Sequence, residues 1–214
     1  AISDGFGSIA IARGENAVAT AEGWFSRAIV RGDDSTADAI DGNFNTARVY
    51  GDNNTATASG EGFSRAIIIG ENTNASTFAG AGSRSKAVII GSDSVANSVG
   101  LEGSTAIARI IGAGNDIFAF GQGGANSTGL IIGTDSSASA SAEGNGGFGR
   151  GATVVLNGEE NVGSAAATDS RATVLVRGTS NSGTAAATDG GDAYARVIGT
   201  DDTADADAIG SGIS

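Results

Sequence analysis

The chain has 214 residues, with 24 acidic and 12 basic side chains, a formal net charge of −12, and no cysteine, histidine, methionine or proline. These counts exclude disulfides, thiolate and imidazole chemistry and a collagen helix, and so acidic a chain is expected to repel nucleic acid. No apolar run approaches the roughly 18 residues of a membrane-spanning helix, so we expect no membrane insertion.

Ten short apolar runs follow one another along the chain, and each ends at a glycine. In order they read AIAR, AIVR, ARVY, AIII, AVII, ARII, GLII, VVLN, VLVR and ARVI. The glycines that follow them are Gly14, Gly32, Gly51, Gly70, Gly91, Gly112, Gly133, Gly158, Gly178 and Gly199. After nine of the ten glycines come two polar turn residues, and after all ten comes a second segment, which alternates strictly in TADADA at 203–208. The pattern predicts a pair of short strands in every unit.

A unit of two short strands cannot bury its own apolar face, whereas a stack of such units with parallel strand ladders can. We therefore predict an all-β fold, a single parallel β-solenoid of the β-roll or β-helix type that spans residues 1–214. It should have about ten coils of roughly 20 residues each around a thin core of alanine, isoleucine and valine. A helical fold would place a glycine inside a helix in every unit, at about 1 kcal/mol each.

The two faces of the first strand in each unit differ in composition. Positions two and four before the glycine, such as Ala66 and Ile68, are never charged and form the predicted inner column. Positions one and three before the glycine form the outer face, where an apolar patch is predicted to mediate self-association. Its members are Ile67, Ile69, Val88, Ile90, Ile111, Leu130, Ile132 and Val155. The alternative is that a loop of the same chain covers this face.

One predicted loop column is aromatic. Phe6, Phe25, Phe44 and Phe63 are each 19 residues apart. Residues one coil apart lie next to each other in a solenoid, so these rings are expected to stack at a corner. The alternative reading of the column is a platform that binds carbohydrate.

No catalytic site is predicted, because the chain lacks histidine and cysteine and has a single lysine. We expect no cofactor. The acidic residues fall mainly in the predicted turns, where a solvated column is the simplest reading. The alternative is a Ca²⁺ site, since carboxylates on adjacent coils repel each other and an oxygen-seeking cation would relieve this. The candidate ligands are Asp33, Asp34, Asp52 and Asp116, the last in GAGNDIFAF at 112–120.

Both ends of the chain are predicted to lie in the same phase of a coil. The match places Ile2 and Ile209 at the position of Ile40. No capping unit is recognisable, so the terminal coils are expected to leave strand edges open. We therefore expect that the last coil of one chain can be continued by the first coil of another, in a head-to-tail contact that need not close.

The phrases SRAIIIGENTNAS at 64–76 and SKAVIIGSDSVANSVG at 85–100 resemble the repeats of trimeric autotransporter adhesin heads. The resemblance covers Gly14 to Gly199. It implies a parallel β-roll that forms trimers through apolar faces and serves surface adhesion.

Together these features predict a non-catalytic extracellular or cell-surface structural protein. Its partner is expected to be further copies of itself, bound through the apolar patch and the uncapped ends in a filament or surface appendage. The alternatives are an adhesin head and an ice-binding solenoid. Ice binding usually requires a regular Thr-x-Thr array, which the second strands offer at Thr55 and Thr57.

Overall fold

The computed structural model describes the chain except for residues 5, 33, 35, 41–43, 52, 61, 81–83, 124–125, 144–150, 190 and 210–214. The described residues form two parallel sheets, one of eleven strands and one of ten, and include no helix. The chain alternates between the sheets at every strand, which makes a parallel β-solenoid of about 9 turns with a spacing of about 21 residues. The predicted fold class is therefore confirmed.

The odd-numbered strands make up the eleven-stranded sheet, and they are β1 (Ile2–Asp4), β3 (Val18–Glu22), β5 (Thr36–Ile40), β7 (Thr55–Gly60), β9 (Asn74–Ala79), β11 (Val95–Gly100), β13 (Asp116–Gln122), β15 (Ser137–Glu143), β17 (Val162–Thr168), β19 (Ser182–Thr188) and β21 (Thr203–Ile209). The even-numbered strands make up the ten-stranded sheet, and they are β2 (Ala10–Arg13), β4 (Arg27–Arg31), β6 (Thr46–Tyr50), β8 (Phe63–Ile69), β10 (Arg84–Ile90), β12 (Thr105–Ala113), β14 (Asn126–Thr134), β16 (Gly151–Glu159), β18 (Arg171–Thr179) and β20 (Ala193–Thr200). Each strand pairs with the strands two places before and after it in the chain.

The core between the sheets is thin because its side chains are small. The predicted inner columns are buried: Ala66 and Ile68 in the ten-stranded sheet and Ala56 and Ala58 in the eleven-stranded sheet are all 0% exposed. Isoleucine on one side therefore meets alanine on the other, and the outer residues of each strand are left at the surface.

The bulky side of this thin core changes along the solenoid. In the later coils a glycine of the eleven-stranded sheet faces bulky residues of the other sheet. A Cβ at Gly163 would lie 2.6 Å from Val154 Cγ1 and 3.0 Å from Leu156 Cδ2. Earlier the sizes are reversed, because Gly129 of the ten-stranded sheet packs against Ile117. A steady core thickness is thus kept by exchanging large and small residues across it.

Close contact between successive coils explains why the repeat glycines are glycine. A Cβ at Gly112 would lie 1.7 Å from the carbonyl oxygen of Gly91, its counterpart one coil earlier, and Gly133 is equally close to Gly112. Two residues beyond each repeat glycine the backbone has a positive φ, as at Asn72 and Asp93. Asparagine and aspartate tolerate this conformation better than most residues, which accounts for the polar turns.

The predicted strands of four residues are too short for most coils. β2 has four residues, but β12, β14, β16 and β18 each have nine and continue past the repeat glycine. The spacing between successive repeat glycines is 18 or 19 residues up to Gly70 and 20 to 25 residues after it. The added residues therefore extend the strands.

A ladder of polar side chains runs along the solenoid three residues after each repeat glycine from Gly51 onwards. Its buried members are Asn54, Thr73, Ser94, Asn115, Ser136, Asn161 and Asn181, and the half-buried Asp202 follows them. The backbone N–H of Ser136 donates to Asn161 Oδ1 at 3.1 Å, and Asn161 Nδ2 donates to the carbonyl of Gly133 at 2.8 Å. The backbone N–H of Asn161 in turn donates to Asn181 Oδ1 at 2.9 Å. The ladder satisfies buried backbone groups at the turns, and the sequence analysis missed it.

The predicted common phase of the two chain ends is wrong. Strand pairing aligns Ile40 with Glu22, and Glu22 with Asp4 rather than with Ile2. At the other end Ile209 pairs with Thr188, two residues beyond the row that contains Ile40. The alanine–isoleucine pairs at the two ends have the same residues as Ala39–Ile40 but do not occupy the same place in the coil. The register is set by the buried residues of the inner columns.

Candidate self-association surface

All eight residues of the predicted apolar patch lie on the outer face of the ten-stranded sheet, on strands β8 to β16. One row runs Ile67, Val88, Arg109, Leu130 and Val155, and the adjacent row runs Ile69, Ile90, Ile111 and Ile132. Ile90 is 42% exposed and the other seven are half-buried. The structure adds Ile107, which lies beside these rows on the same face and was overlooked because it is five residues before its glycine.

Two arginines border or interrupt the apolar rows. Arg48 pairs in register with Ile67, and Arg109 lies between Val88 and Leu130. The Nε atoms of both arginines are buried and have no hydrogen-bond partner among the described residues. Both side chains therefore lie along the apolar surface, which covers their Nε–H groups, and the guanidinium of Arg48 lies over the Tyr50 ring with Cζ 4.9 Å from the ring centroid.

The basic residues are confined to one side of the molecule. Eleven of the twelve lie on the outer face of the ten-stranded sheet, and the twelfth, Arg150, falls outside the described residues. The strands of the eleven-stranded sheet contain no lysine or arginine. The sequence carries this signal, since every basic residue but Arg150 lies in the strand that leads to a repeat glycine. It becomes a surface property only when the strands are sorted into sheets.

Four of these cations form a basic cluster next to the apolar patch: Arg65, Arg84, Lys86 and Arg109. Burial lowers the pKa of Lys86, and the charges of Arg65, Arg109 and Arg84 lower it further. Within the part of the chain that the structure describes, the only ion pair joins Arg171 to Asp192 at 3.4 Å, far from this cluster in the chain. Among the described residues, therefore, none forms an ion pair with the cluster.

The outer face of the eleven-stranded sheet has the opposite charge. It carries seven carboxylates on its strands, including Asp38, Asp116 and Glu143. Apolar side chains occupy its middle strands: Phe78 and Phe118 are 43% and 42% exposed, and the Phe118 and Phe120 rings are stacked with centroids 6.3 Å apart. These three phenylalanines form a phenylalanine cluster, so the centre of this acidic face is apolar.

The structure describes two of the four predicted Ca²⁺ ligands, Asp34 and Asp116, and these two are far apart. Asp33 and Asp52 lie outside the described residues. Asp34 lies in the turn after Gly32, whereas Asp116 is exposed on β13, four coils further along and therefore about 19 Å away. Asp116 accepts a hydrogen bond from the hydroxyl of Ser137. Among the described residues no group of three or more potential ligands is close enough to hold a metal ion.

The predicted aromatic column is a continuous ladder. The ring centroids of Phe6, Phe25, Phe44 and Phe63 are 5.5, 5.6 and 6.1 Å apart in succession. The planes of the last three rings are within 14° of parallel, so their faces cover one another. Because a sugar ring binds an aromatic face, the stacking favours the structural reading of this column over the carbohydrate platform.

The chain was compared with protein-family models, with curated proteins and with solved structures, and none of them matches. The resemblance to adhesin heads is therefore supported as far as the repeated parallel β-solenoid and no further. The described residues also contain no helix with the length and apolar character needed to cross a membrane.

Proposed function

We propose that this chain is a non-catalytic structural protein, extracellular or displayed at a cell surface, that associates with further copies of itself into a filament or surface appendage. The observation that carries the proposal is the apolar patch. Its two adjacent rows remain partly exposed on a flat sheet, and no described segment of the chain packs over Ile90. Exposed contiguous apolar surface of this kind marks interaction sites.

The size of the face fits a stable interface. Ten strands about 4.8 Å apart and about seven residues long offer a face of about 1,000 Å². A standard protein–protein interface buries about 800 Å² on each partner, with an apolar centre and a rim in which arginine is common. The apolar patch with its flanking arginines has this composition.

End-to-end stacking is the second proposed contact. A coil that no further coil covers has open strand edges, and a coil of another copy can pair with them as successive coils of this chain pair with each other.

Replacing isoleucine by threonine on the patch tests the lateral contact. The triple variant Ile69→Thr, Ile90→Thr and Ile111→Thr keeps β-branched side chains on the strands but removes apolar surface. We expect the wild type to form larger particles in sedimentation velocity and negative-stain microscopy, and the triple variant to form far fewer. Val162→Thr, at an exposed position of the other sheet, is the matched control. A wild type that stays monomeric at millimolar concentration would refute the proposal.

The adhesin head is an alternative form of the same proposal, in which three chains pack their apolar patches around an axis. Sedimentation equilibrium separates the two, because a closed trimer reaches a fixed mass whereas an open polymer keeps growing with concentration.

Ice binding is a second candidate function, favoured by one observation. Thr128, Thr153 and Thr173 lie in register on three successive strands of the ten-stranded sheet. The row is single, with Leu130 and Val155 beside it instead of a second threonine row. An ice-recrystallisation assay on the wild type and on Thr153→Val tests it: inhibition by the wild type that the variant loses would establish ice binding.

A further inference from the structure

The two outer faces of this solenoid have opposite charge, although the chain as a whole is strongly acidic. The basic side chains of the described residues lie on the ten-stranded sheet, and its strands contain a single carboxylate, Glu159, at the end of β16. Carboxylates of the eleven-stranded sheet face away on the opposite side. Both faces have an apolar centre over the same coils, because the apolar patch lies on β8 to β16 and the phenylalanine cluster on β9 to β13.

We propose that the partner surface of the apolar patch is the acidic outer face of the eleven-stranded sheet of a second copy. The inference rests on the proposed self-association and names the surface that it uses. In this contact the patch covers Phe78 and Phe118 of the neighbour, and the basic cluster meets the carboxylates Asp116 and Glu143 of the neighbour.

The alternative, in which two ten-stranded sheets pack against each other, is disfavoured by charge. Because the strands of that sheet carry eleven cations and one carboxylate, any rotation of one copy on the other brings cations against cations. Like charges that are desolvated at an interface repel strongly, and interfaces use such repulsion to reject a wrong partner. Burial and then the charges of the neighbouring arginines lower the pKa of Lys86, so its charge is already disfavoured before any partner is added.

Two arginines lie within or beside the apolar rows, Arg48 opposite Ile67 and Arg109 between Val88 and Leu130. A carboxylate is the acceptor whose geometry best fits a guanidinium. The acidic face of another copy brings carboxylates together with apolar surface, which is the combination that suits arginines among apolar residues.

The symmetry of the contact leads to an open assembly. Both sheets are parallel and belong to the same coils, so their rungs have the same spacing and can stay aligned along the interface. Each copy uses one face for one neighbour and the opposite face for the next. A heterologous contact of this kind forms a ring only if the rotation between neighbours closes. Because the contacting faces lie on opposite sides of the molecule, we expect an open lateral stack of solenoids.

Two charge-reversed variants test the contact. The basic-face variant carries Arg65→Glu and Arg84→Glu, both at exposed positions. The acidic-face variant carries Asp116→Lys and Glu143→Lys, also exposed. We expect each variant alone to associate about tenfold more weakly than the wild type in sedimentation velocity at 50 mM NaCl, with the far-UV circular dichroism and melting temperature of the wild type.

Mixing the two variants should restore association. The acidic-face variant still has a native basic face, and the basic-face variant still has a native acidic face, so the mixture contains the native contact that neither variant can make alone. The control is Glu15→Lys with Glu160→Lys, which changes the net charge by the same amount as the acidic-face variant and alters exposed residues at turns. We expect this control to associate as the wild type does.

Two results would overturn the inference and leave the proposed function standing. If the acidic-face variant alone associates as strongly as the wild type while the isoleucine-to-threonine triple variant does not, the ten-stranded sheets pack against each other. A mixture that stays as weakly associated as its components also overturns the inference. If the wild type itself is monomeric, the proposed function fails together with the inference.

Discussion

Removal of the Asn161 side chain should destabilise the solenoid far more than removal of an asparagine at the surface. In the native chain Asn161 Oδ1 accepts from the backbone N–H of Ser136 at 3.1 Å, and Nδ2 donates to the carbonyl of Gly133 at 2.8 Å. Asn161 is 0% exposed, so water cannot replace these bonds. Asn161→Ala leaves two buried backbone groups without partners, at about 1–3 kcal/mol each.

The expected loss is therefore about 2–6 kcal/mol. In a domain of this size each 1 kcal/mol lowers the melting temperature by about 2–4 °C, so the midpoint should fall by about 4–24 °C. Asn161→Ser should lose about half as much, because Ser136 shows that a hydroxyl serves in this column. Its Oγ accepts from the backbone N–H of Asn115 at 3.1 Å and donates to the carbonyl of Thr134 at 2.8 Å.

Urea unfolding followed by circular dichroism measures the global effect, and hydrogen exchange at the Ser136 amide measures the local one. Asn97→Ala is the matched control, because Asn97 lies on the outer face of β11 and its loss should change the free energy of unfolding by less than about 0.5 kcal/mol. Equal effects of Asn161→Ala and Asn97→Ala, with an unchanged exchange rate at Ser136, would refute the role given to the ladder.

Three further substitutions test other parts of the fold. Gly112→Ala should cost at least about 3 kcal/mol, because its Cβ would lie 1.7 Å from Gly91 O, while Gly14→Ala has open space at the same place in its coil and should cost clearly less in the same urea titration. Phe44→Leu removes two stacked ring pairs and should cost about 1–3 kcal/mol at about 0.5–1.5 kcal/mol per pair, whereas an unchanged midpoint would mean that the column contributes only its apolar area. Burial raises the pKa of Asp38 above 3.8, so the folded state binds the proton more tightly than the unfolded state and loses stability as the pH rises through the raised pKa. Asp38→Asn should therefore melt at a higher temperature than the wild type at pH 7 but not below about pH 3.8, and an advantage that persists in acid would contradict this account.

The amino-acid sequence by itself determined the fold class and the orientation of the side chains. Both are local properties. The repeat glycines recur at nearly constant spacing, and alternation along a strand sends Ile68 inward and Ile67 outward whatever the neighbouring coil contains. The aromatic column was predictable for the same reason, since 19 residues make one coil in that part of the chain.

The functional surface was predictable only in part. The eight residues of the apolar patch follow from their distance to a repeat glycine, and the structure places all of them on one face. Whether that face binds another copy depends also on the surface that the second copy presents to it. The separation of charge between the two faces could not be read from the net charge, because net charge is a sum and carries no information about which sheet each residue joins.

Only the tertiary structure decided the features that depend on contacts between coils. The pairing register showed that Asp4, and not Ile2, shares a row with Ile40, because the register follows the packing of the inner columns. The hydrogen bonds of Asn161 connect three successive turns. The packing of the small Gly163 against the large Leu156 involves both sheets. The separation of charge onto opposite faces involves strands from all the coils. Each is a relation between residues that are far apart in the chain, and a period along the sequence cannot specify it.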